Sequence, residues 1–359
     1  MKNKHVKTMC GLLAAAACLS GCGSKALDGT QTVLTVNDTE VSLGTAMFNL
    51  RYQQSEMQSY YTMMYSMYGM EMGDLWDQPF DDGSATSEVS TASETAESSA
   101  ASETSAASET AEASSSSTTE NKDQTYGEEF KDTCMDSLTD MVLLQEHMEE
   151  YSVAFTEEDQ AAVNQAAEAF VEANDDKVLQ QNGITAVNVA EYLKFYTIQQ
   201  RMREPMVADV DREVSDEEAA QSKITYVRLS ASEEDDETAK AEKKANAEEI
   251  LSELQKQSDV ASADINTLAS AIDEEAYTTD FTYGADDTSL PVAVSTAADS
   301  LNDGELYGSV IEAEGVCYIV RMDAKLDRES TDQKKENIIA ERENTLYRET
   351  LDEWKDAAE

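Results

Sequence analysis

"AADSLNDGELYGSVIEAEGVCYIVRMD", residues 297–323, is the stretch on which the fold of this chain turns. Asn302-Asp303-Gly304 is a turn signal, because Asn and Asp bond to their own backbone and Gly tolerates positive φ. Two segments rich in aromatic and β-branched residues follow it, "ELYGSVIEA" (305–313) and "GVCYIVRMD" (315–323), joined at Glu314-Gly315. They read as the last two strands of an antiparallel sheet. Working backward, "LPVAVSTAADSL" (290–301) makes a short helix and "TTDFTYG" (278–284) a strand. "DINTLASAI" (264–272) is another short helix. "ETAKAEKKANAEEILSELQKQ" (237–257) is a longer one, with Ala247, Ile250, Leu251 and Leu254 spaced to share an inward face. "ITYVRL" (224–229) is the first strand of the set. The order strand, helix, helix, strand, helix, strand, strand belongs to an α+β domain.

Upstream, the chain is mostly helical. "VLTVNDTEVSL" (33–43) alternates about an Asn37-Asp38 turn and predicts a small hairpin. Helical spacing begins at Thr45, with Met47, Leu50 and Gln54 on one side and Phe48, Tyr52 and Met57 close by. The helix runs into "YYTMMYSMYGMEMGDLW" (60–76). That run is open to three readings: burial against partner helices, an adaptable apolar surface, or copper(I) held by Met64, Met67, Met70 and Met72. Residues 84–120 contain only Ser, Ala, Thr and Glu apart from Val89, with "ASETAE" at 92–97 and again at 107–112. No position there recurs that could build a core, so it is a solvated insert that spans about 33 Å as a coil.

Helices resume near 125. Phe130, Cys134, Leu138, Met141, Leu144 and Met148 form one stripe of "FKDTCMDSLTDMVLLQEHMEEY", with His147 at its edge in a structural or solvated place. Thr156 and Asp159 cap the next helix. "VAEYLKFYTIQQRMREPM" (189–206) is a third, ending around Pro205. The last helix, "DQKKENIIAERENTLYRETLDEWKDAA" (332–358), carries Ile338, Ile339, Leu346, Leu351 and Trp354, a face expected to bury on the N-terminal helices.

The first twenty-one residues read as an export signal. Lys2, Lys4 and Lys7 precede the short apolar run "MCGLLAAAACL", and "LSGC" (Leu19–Cys22) closes it with small residues. Small residues before a cysteine resemble the lipobox of bacterial lipoproteins. The resemblance implies lipidation of Cys22 and anchoring at the outer face of the cell membrane. An ordinary secretory peptide is the alternative. The formal charge is −48, which argues against nucleic-acid partners, whose phosphates need Lys and Arg. Cys134 and Cys317 remain in the mature chain, either paired outside the cell or as two buried thiols. With one histidine beyond the signal and no Cys-x-x-Cys, zinc and redox chemistry have almost no ligands, and no cofactor is expected.

The element order ending in residues 297–323 resembles the parvulin domain of peptidyl-prolyl isomerases. The matching positions are Ala297, Ala298, Leu301, Gly304, Glu305, Val310, Gly315, Ile319 and Val320. The wider layout, with "VSDEEA" just before the first strand, is similar to the PrsA and SurA type of extracytoplasmic foldase. The resemblance covers roughly 31–80 and 123–358. It implies a mostly helical chaperone domain and a small domain with a four-stranded antiparallel sheet. Its segments are a signal peptide at 1–21, a tether at 22–30, and a hairpin and helix at 31–83. Then come the insert at 84–122, helices at 123–215, the parvulin-like domain at 216–328 and a returning helix at 329–359. The partners implied are unfolded or newly secreted polypeptides, with the membrane reached through the lipid.

The parvulin pattern places a histidine in the first strand and another in the last, where this chain has Tyr226 and Tyr318. The pocket phenylalanine matches Val294, and the neighbouring Met/Leu position matches Leu290; an acidic position falls near Asp273 to Glu275. The Gly-Gly-Asp-Leu-Gly segment is absent. Rotating a prolyl amide crosses a barrier of about 20 kcal/mol that needs a shaped apolar pocket rather than a nucleophile or metal. Tyrosine hydroxyls could replace some cross-pocket hydrogen bonds, but losing both histidines and the Phe together reads as a retired isomerase site. A solute-binding lipoprotein is the reading from another class, and needs two lobes of alternating strands and helices around a cleft; a structural surface lipoprotein is a third.

Overall fold

The computed structural model describes residues 26–67, 76, 125–230 and 237–358. Cys22, Met70, Met72 and the insert at 84–120 lie outside them. The described residues fall into two compact units. One holds those up to Ala208 together with those from Tyr347 on, and the other is Asp209–Leu346.

In the helical unit, strands β1 (Thr32–Val36) and β2 (Thr39–Ser42) form the expected hairpin, with Val36 opposite Thr39. Asn37 turns it at φ 51°, a conformation Asn accepts more readily than most residues. Helix α1 (Leu43–Met67) starts two residues before the periodicity does, because Ser42 Oγ accepts the Thr45 N–H and starts the helix at the strand's end. Helix α2 (Tyr126–His147) opens with a Thr125–Glu128 capping box. Helix α3 (Glu157–Ala173) opens with Thr156 and Asp159 in the same arrangement. Arg201 of α5 (Ala186–Met206) then clamps Asp159 with two bonds of 2.8 and 2.7 Å. A short helix that the apolar spacing does not announce, α4 (Asp176–Gln181), forms because Asp175 accepts the N–H groups of Lys177 and Val178.

The core of this unit joins Leu34, Val36 and Val41 of the hairpin to Leu138 and Met141 of α2 and Phe195 of α5. Phe130, Cys134, Leu138, Met141 and Leu144 are buried as their stripe predicts. The last helix, α9 (Arg328–Ala357), places Leu351 and Trp354 with Leu144, Ile198, Met202 and Met206. Burying a leucine as completely as Leu351 stabilises by about 1.5–3 kcal/mol. His147 stacks on Trp354 with ring centroids 4.0 Å apart and 4° between planes, and its Nδ1 meets Glu150 at 2.8 Å. Its place is structural.

The second unit is built on a four-stranded antiparallel sheet in the order β4-β3-β6-β5. The strands are β3 (Ser222–Ser230), β4 (Tyr277–Tyr283), β5 (Ile311–Ala313) and β6 (Val316–Ala324). The period-two alternation of β3 and β6 sorts their side chains to two faces. Val227, Leu229, Cys317 and Ile319 pack on α6 (Glu237–Gln255) and α7 (Ile265–Ile272) through Ala247, Ile250, Leu251, Leu254 and Ile265. Ile224, Tyr318, Val320 and Met322 pack on α8 (Val292–Asp299) through Val294, Ala297 and Ala298. The fold is therefore mixed: a helical unit with its own two-stranded sheet, and a sheet unit with helices on both faces.

Two expectations are corrected here. The strand at 305–313 is not continuous. Leu306 bridges Arg321, and Ile311 pairs with Tyr318, so five steps along one strand oppose three along β6. The surplus is a bulge through Gly308, after which β5 turns back at Glu314 (φ 52°) and Gly315 (φ 78°), two left-handed residues that suit a tight hairpin. The helix expected at 329–359 begins at Arg328, since Asp327 Oδ2 accepts the Ser330 N–H and caps it, and it divides at Tyr347. Its first part belongs to the sheet unit, where Arg328 and Lys335 find Asp216 and Arg342 finds Glu218. Cys134 and Cys317 are both free and buried, as the unpaired alternative has them.

Candidate functional site

The register of the sheet brings the two tyrosines together. Tyr226 on β3 lies opposite Val320 on β6, while Tyr318 on β6 lies opposite Arg228 on β3 and Ile311 on β5. The two are thus diagonal neighbours on one face, within reach of large side chains. Their ring centroids are 5.9 Å apart at 61°, an edge-to-face contact, and Phe281 of β4 lies 6.3 Å from Tyr226 on its other side. Tyr318 is 8% exposed and Tyr226 is half-buried.

Leu290 and Val294 stand in the same cluster, 7% and 0% exposed. Proline starts α8 by fixing φ just before it, at Pro291, and the helix then turns Val294, Ala297 and Ala298 onto the sheet. All four residues singled out from the sequence, Tyr226, Leu290, Val294 and Tyr318, therefore meet in one place. Leu290, Val294 and Tyr318 meet as buried core, with the half-buried Tyr226 packed against them.

The polar groups of this face include tyrosine hydroxyls and the Arg228 guanidinium. Burial raises the Tyr318 phenol above its ordinary range, against the opposing effect of the Arg228 guanidinium. Burial also raises Tyr283, which donates to Asp299 Oδ1 at 2.8 Å. Among the described residues the hydroxyls of Tyr226 and Tyr318 make no hydrogen bond. Arg228 lies over the Tyr277 ring, 5.2 Å from its centroid. The face offers hydroxyl donors and a cation, with no imidazole.

Of the acidic residues at 273–275, Asp273 is the buried one, and its role is structural. It ends α7 and is 7% exposed. Both its oxygens accept from Lys243 Nζ at 3.0 Å, Oδ2 accepts from Asn246 and Oδ1 from the Glu275 N–H. Burial alone would raise this carboxyl, but the bonds from Asn246, Lys243 and Glu275 outweigh it and hold it below its ordinary range. Every partner ties α7 to α6 or to the turn before β4, and none belongs to the tyrosine cluster.

A second polar network escaped the sequence reading. Thr225, opposite Arg321 in the register, is buried. Its Oγ1 accepts from Arg321 Nη2 at 3.1 Å and lies 2.9 Å from Asp280 Oδ1 and 2.6 Å from Asp323 Oδ2. Arg321 also donates to the carbonyls of Val260 and Ala263, which fixes the loop before α7 to the sheet. The only available signal was a Thr, Arg and Asp on alternate strand positions. Among the described residues no group of three His, Cys, Asp or Glu side chains is placed to hold a metal ion, and no helix is long and apolar enough to cross a membrane.

No protein-family model matches the chain, and no curated protein matches it. Among solved structures it is similar to the foldase PrsA of Streptococcus pneumoniae, at 18% identity and a TM-score of 0.21, covering 62% of this chain and 83% of that one. It is similar to PrsA of Bacillus subtilis at 13% identity, TM-score 0.23, with 64% and 85% covered. It is also similar to a peptidylprolyl isomerase (PrsA) of Bacillus cereus at 15% identity, TM-score 0.27, with 64% and 84% covered. Likeness at these levels leaves the function to be argued from the chain's own residues.

Proposed function

We propose that this protein is a lipid-anchored foldase outside the cytoplasmic membrane, which binds unfolded exported polypeptides and has lost its prolyl isomerase site. The observation that carries the second half is the ring contact of Tyr226 with Tyr318 beside a wholly buried Val294. An isomerase must admit a proline ring and favour the twisted amide over the planar one. Here the positions that would line such a pocket fill it. To admit a proline, α8 would have to lift from the sheet and expose Val294, Ala297 and Ala298, an apolar surface that costs about 25 cal/mol for each Å² returned to water.

The first half is supported by the leader with its Leu19–Cys22 box, and by apolar side chains left exposed on α1, where Tyr60 and Met63 are 61% and 68% exposed. Aromatic rings and thioethers repack around varied apolar partners, as a binder of unfolded chains requires. The test is aggregation of a chemically denatured client diluted into buffer with the purified mature protein, followed by light scattering. The reading expects suppression at near-stoichiometric amounts. No suppression of any client, together with a thermal shift produced by a small solute, would contradict it in favour of a solute-binding lipoprotein.

A further inference from the structure

One arginine of the sheet unit is left without a carboxylate. The chain has 74 Asp and Glu against 26 Lys and Arg, and Arg201, Arg212, Arg321, Arg328 and Arg342 each hold an acidic side chain. Arg228 does not. It is exposed on β3 and makes no hydrogen bond or ion pair among the described residues. Its guanidinium lies over the Tyr277 ring, a contact that leaves its charge and its N–H donors unsatisfied.

The register sets that guanidinium in a row across all four strands, Tyr277–Arg228–Tyr318–Ile311, with Tyr226 two residues back along β3 on the same face. Tyr226 and Tyr318 touch edge-to-face. The Tyr318 side chain is more than nine-tenths buried, yet its hydroxyl and that of Tyr226 reach solvent and meet no acceptor among the described residues. Packing thus holds three donor groups at one corner of the sheet, and none has an acceptor there. The fields of Arg228 and of Glu314, at the β5–β6 turn, both act on Tyr318, in opposite senses. Glu314 is exposed and bonds to none of the three donors.

A corner of donors selects an occupant made of acceptors. A carboxylate takes a guanidinium in fork geometry and still has lone pairs for phenol O–H groups. A neutral amide brings donors of its own and forgoes the charge, and a cation is repelled. The net charge of −48 opposes an acidic occupant at long range. Physiological salt screens charges beyond about 8 Å, which leaves the contact at Arg228 to decide.

We propose that Arg228, Tyr226 and Tyr318 hold a side-chain carboxylate of an unfolded polypeptide, on the solvent side of the tyrosine contact. That a polypeptide carries it rests on the foldase reading; that it is a carboxylate rests on the three unpaired donors.

The test uses the full mature protein at physiological salt and fluorescence anisotropy with short labelled Gly/Ser peptides carrying Glu, Gln or Arg at alternate positions. The Glu peptide should bind, and the Gln and Arg peptides should bind more weakly than it. Arg228→Gln removes the charge from an exposed position and should weaken the Glu peptide about tenfold, the scale of one charge-assisted fork. Tyr226→Phe with Tyr318→Phe keeps the packed rings, removes both hydroxyls and should weaken it about threefold. Glu314→Gln should strengthen it about twofold, a gain that misfolding does not produce. Unchanged binding in Arg228→Gln would overturn the proposal, as would a Gln peptide bound as tightly as the Glu one or a Glu314→Gln variant that fails to gain. Inorganic phosphate that displaces the Glu peptide at micromolar concentration would overturn it too, since the occupant would then be a free anion. So would a dimer of this chain that Arg228→Gln dissolves, with a second copy as the occupant. The two readings fail separately. A wild type that suppresses no aggregation but binds the Glu peptide through Arg228 sinks the foldase reading alone. Suppression that persists while the Glu peptide does not bind sinks the carboxylate site alone.

Discussion

Replacing Tyr318 with alanine removes a ring that is 8% exposed and that touches Tyr226 edge-on within the Val294, Val320 and Met322 cluster. Truncating a buried aromatic to alanine costs about 3–5 kcal/mol, from lost transfer energy and the cavity left behind. The upper end applies where the surroundings cannot collapse, and here the ring is held between two strands and a helix. Tyr226→Ala should cost less, because that ring is only half-buried. Tyr318→Phe should be nearly neutral, under about 1 kcal/mol, because the hydroxyl makes no hydrogen bond among the described residues that its loss would orphan. The tryptophans both lie outside the sheet unit, at 76 and 354, so fluorescence would report the wrong part of the molecule. Hydrogen exchange of the β3 and β6 amides reads the right part, and their opening free energy should fall by the stated amount in Tyr318→Ala. A fall under about 1 kcal/mol would refute the packed-core description. So would a phenylalanine variant as damaged as the alanine one, which would make the hydroxyl the important atom.

Acid dependence follows from carboxylates held low. Arg201 and the Thr156 N–H hold Asp159 well below the usual carboxylate range, and Asp273 is held below it as described above. Folded values lie below unfolded ones, so both groups stabilise in full above the ordinary aspartate value of about 3.9 and lose that contribution as pH falls through their folded values. Thermal midpoints of wild type and Asp273→Asn should differ most near neutrality and converge in acid; a gap that widens in acid would contradict this. The thiols should be inert in the native protein, since burial pushes Cys134 up to about 12 and raises Cys317 as well. A thiol reagent at mildly alkaline pH should label neither until denaturant is added. Cys22→Ala should release the protein from the membrane fraction, and a wild-type protein found unacylated would remove the anchor from the account.

The sheet unit was legible because its signals are local and agree. Alternation in "ITYVRL" and "GVCYIVRMD" predicts which residues of β3 and β6 share a face, and the 3.6-residue spacing of Ala247, Ile250, Leu251 and Leu254 predicts the buried face of α6. The bulge at Gly308 was not legible. A Gly inside an apolar run signals either a weakened strand or a departure from it, and only the pairing with β6 decides. Helix α4 was missed because its single buried residue, Leu179, gives no periodicity, and the Asp175 cap that forms it is one residue long. Tyr226, Leu290, Val294 and Tyr318 were grouped from the sequence, but their packing against one another was not legible there. Strand pattern says that Tyr226 and Tyr318 point to the same face, and not whether the space between them and α8 is open. The Thr225–Arg321–Asp323 network needed three-dimensional pairing altogether, since its members are ordinary polar strand residues taken one at a time.

The central claim is that the proline pocket is filled by its own side chains, and a protease-coupled isomerase assay on the purified mature protein tests it most directly. With the pocket closed, a prolyl test peptide should isomerise at its uncatalysed pace of tens to hundreds of seconds at 25 °C, with wild type, Tyr226→Phe and Tyr318→Phe indistinguishable from buffer. A robust acceleration by the wild type that disappears in the two phenylalanine variants would contradict the account, since the site would then be open and the two hydroxyls its working groups.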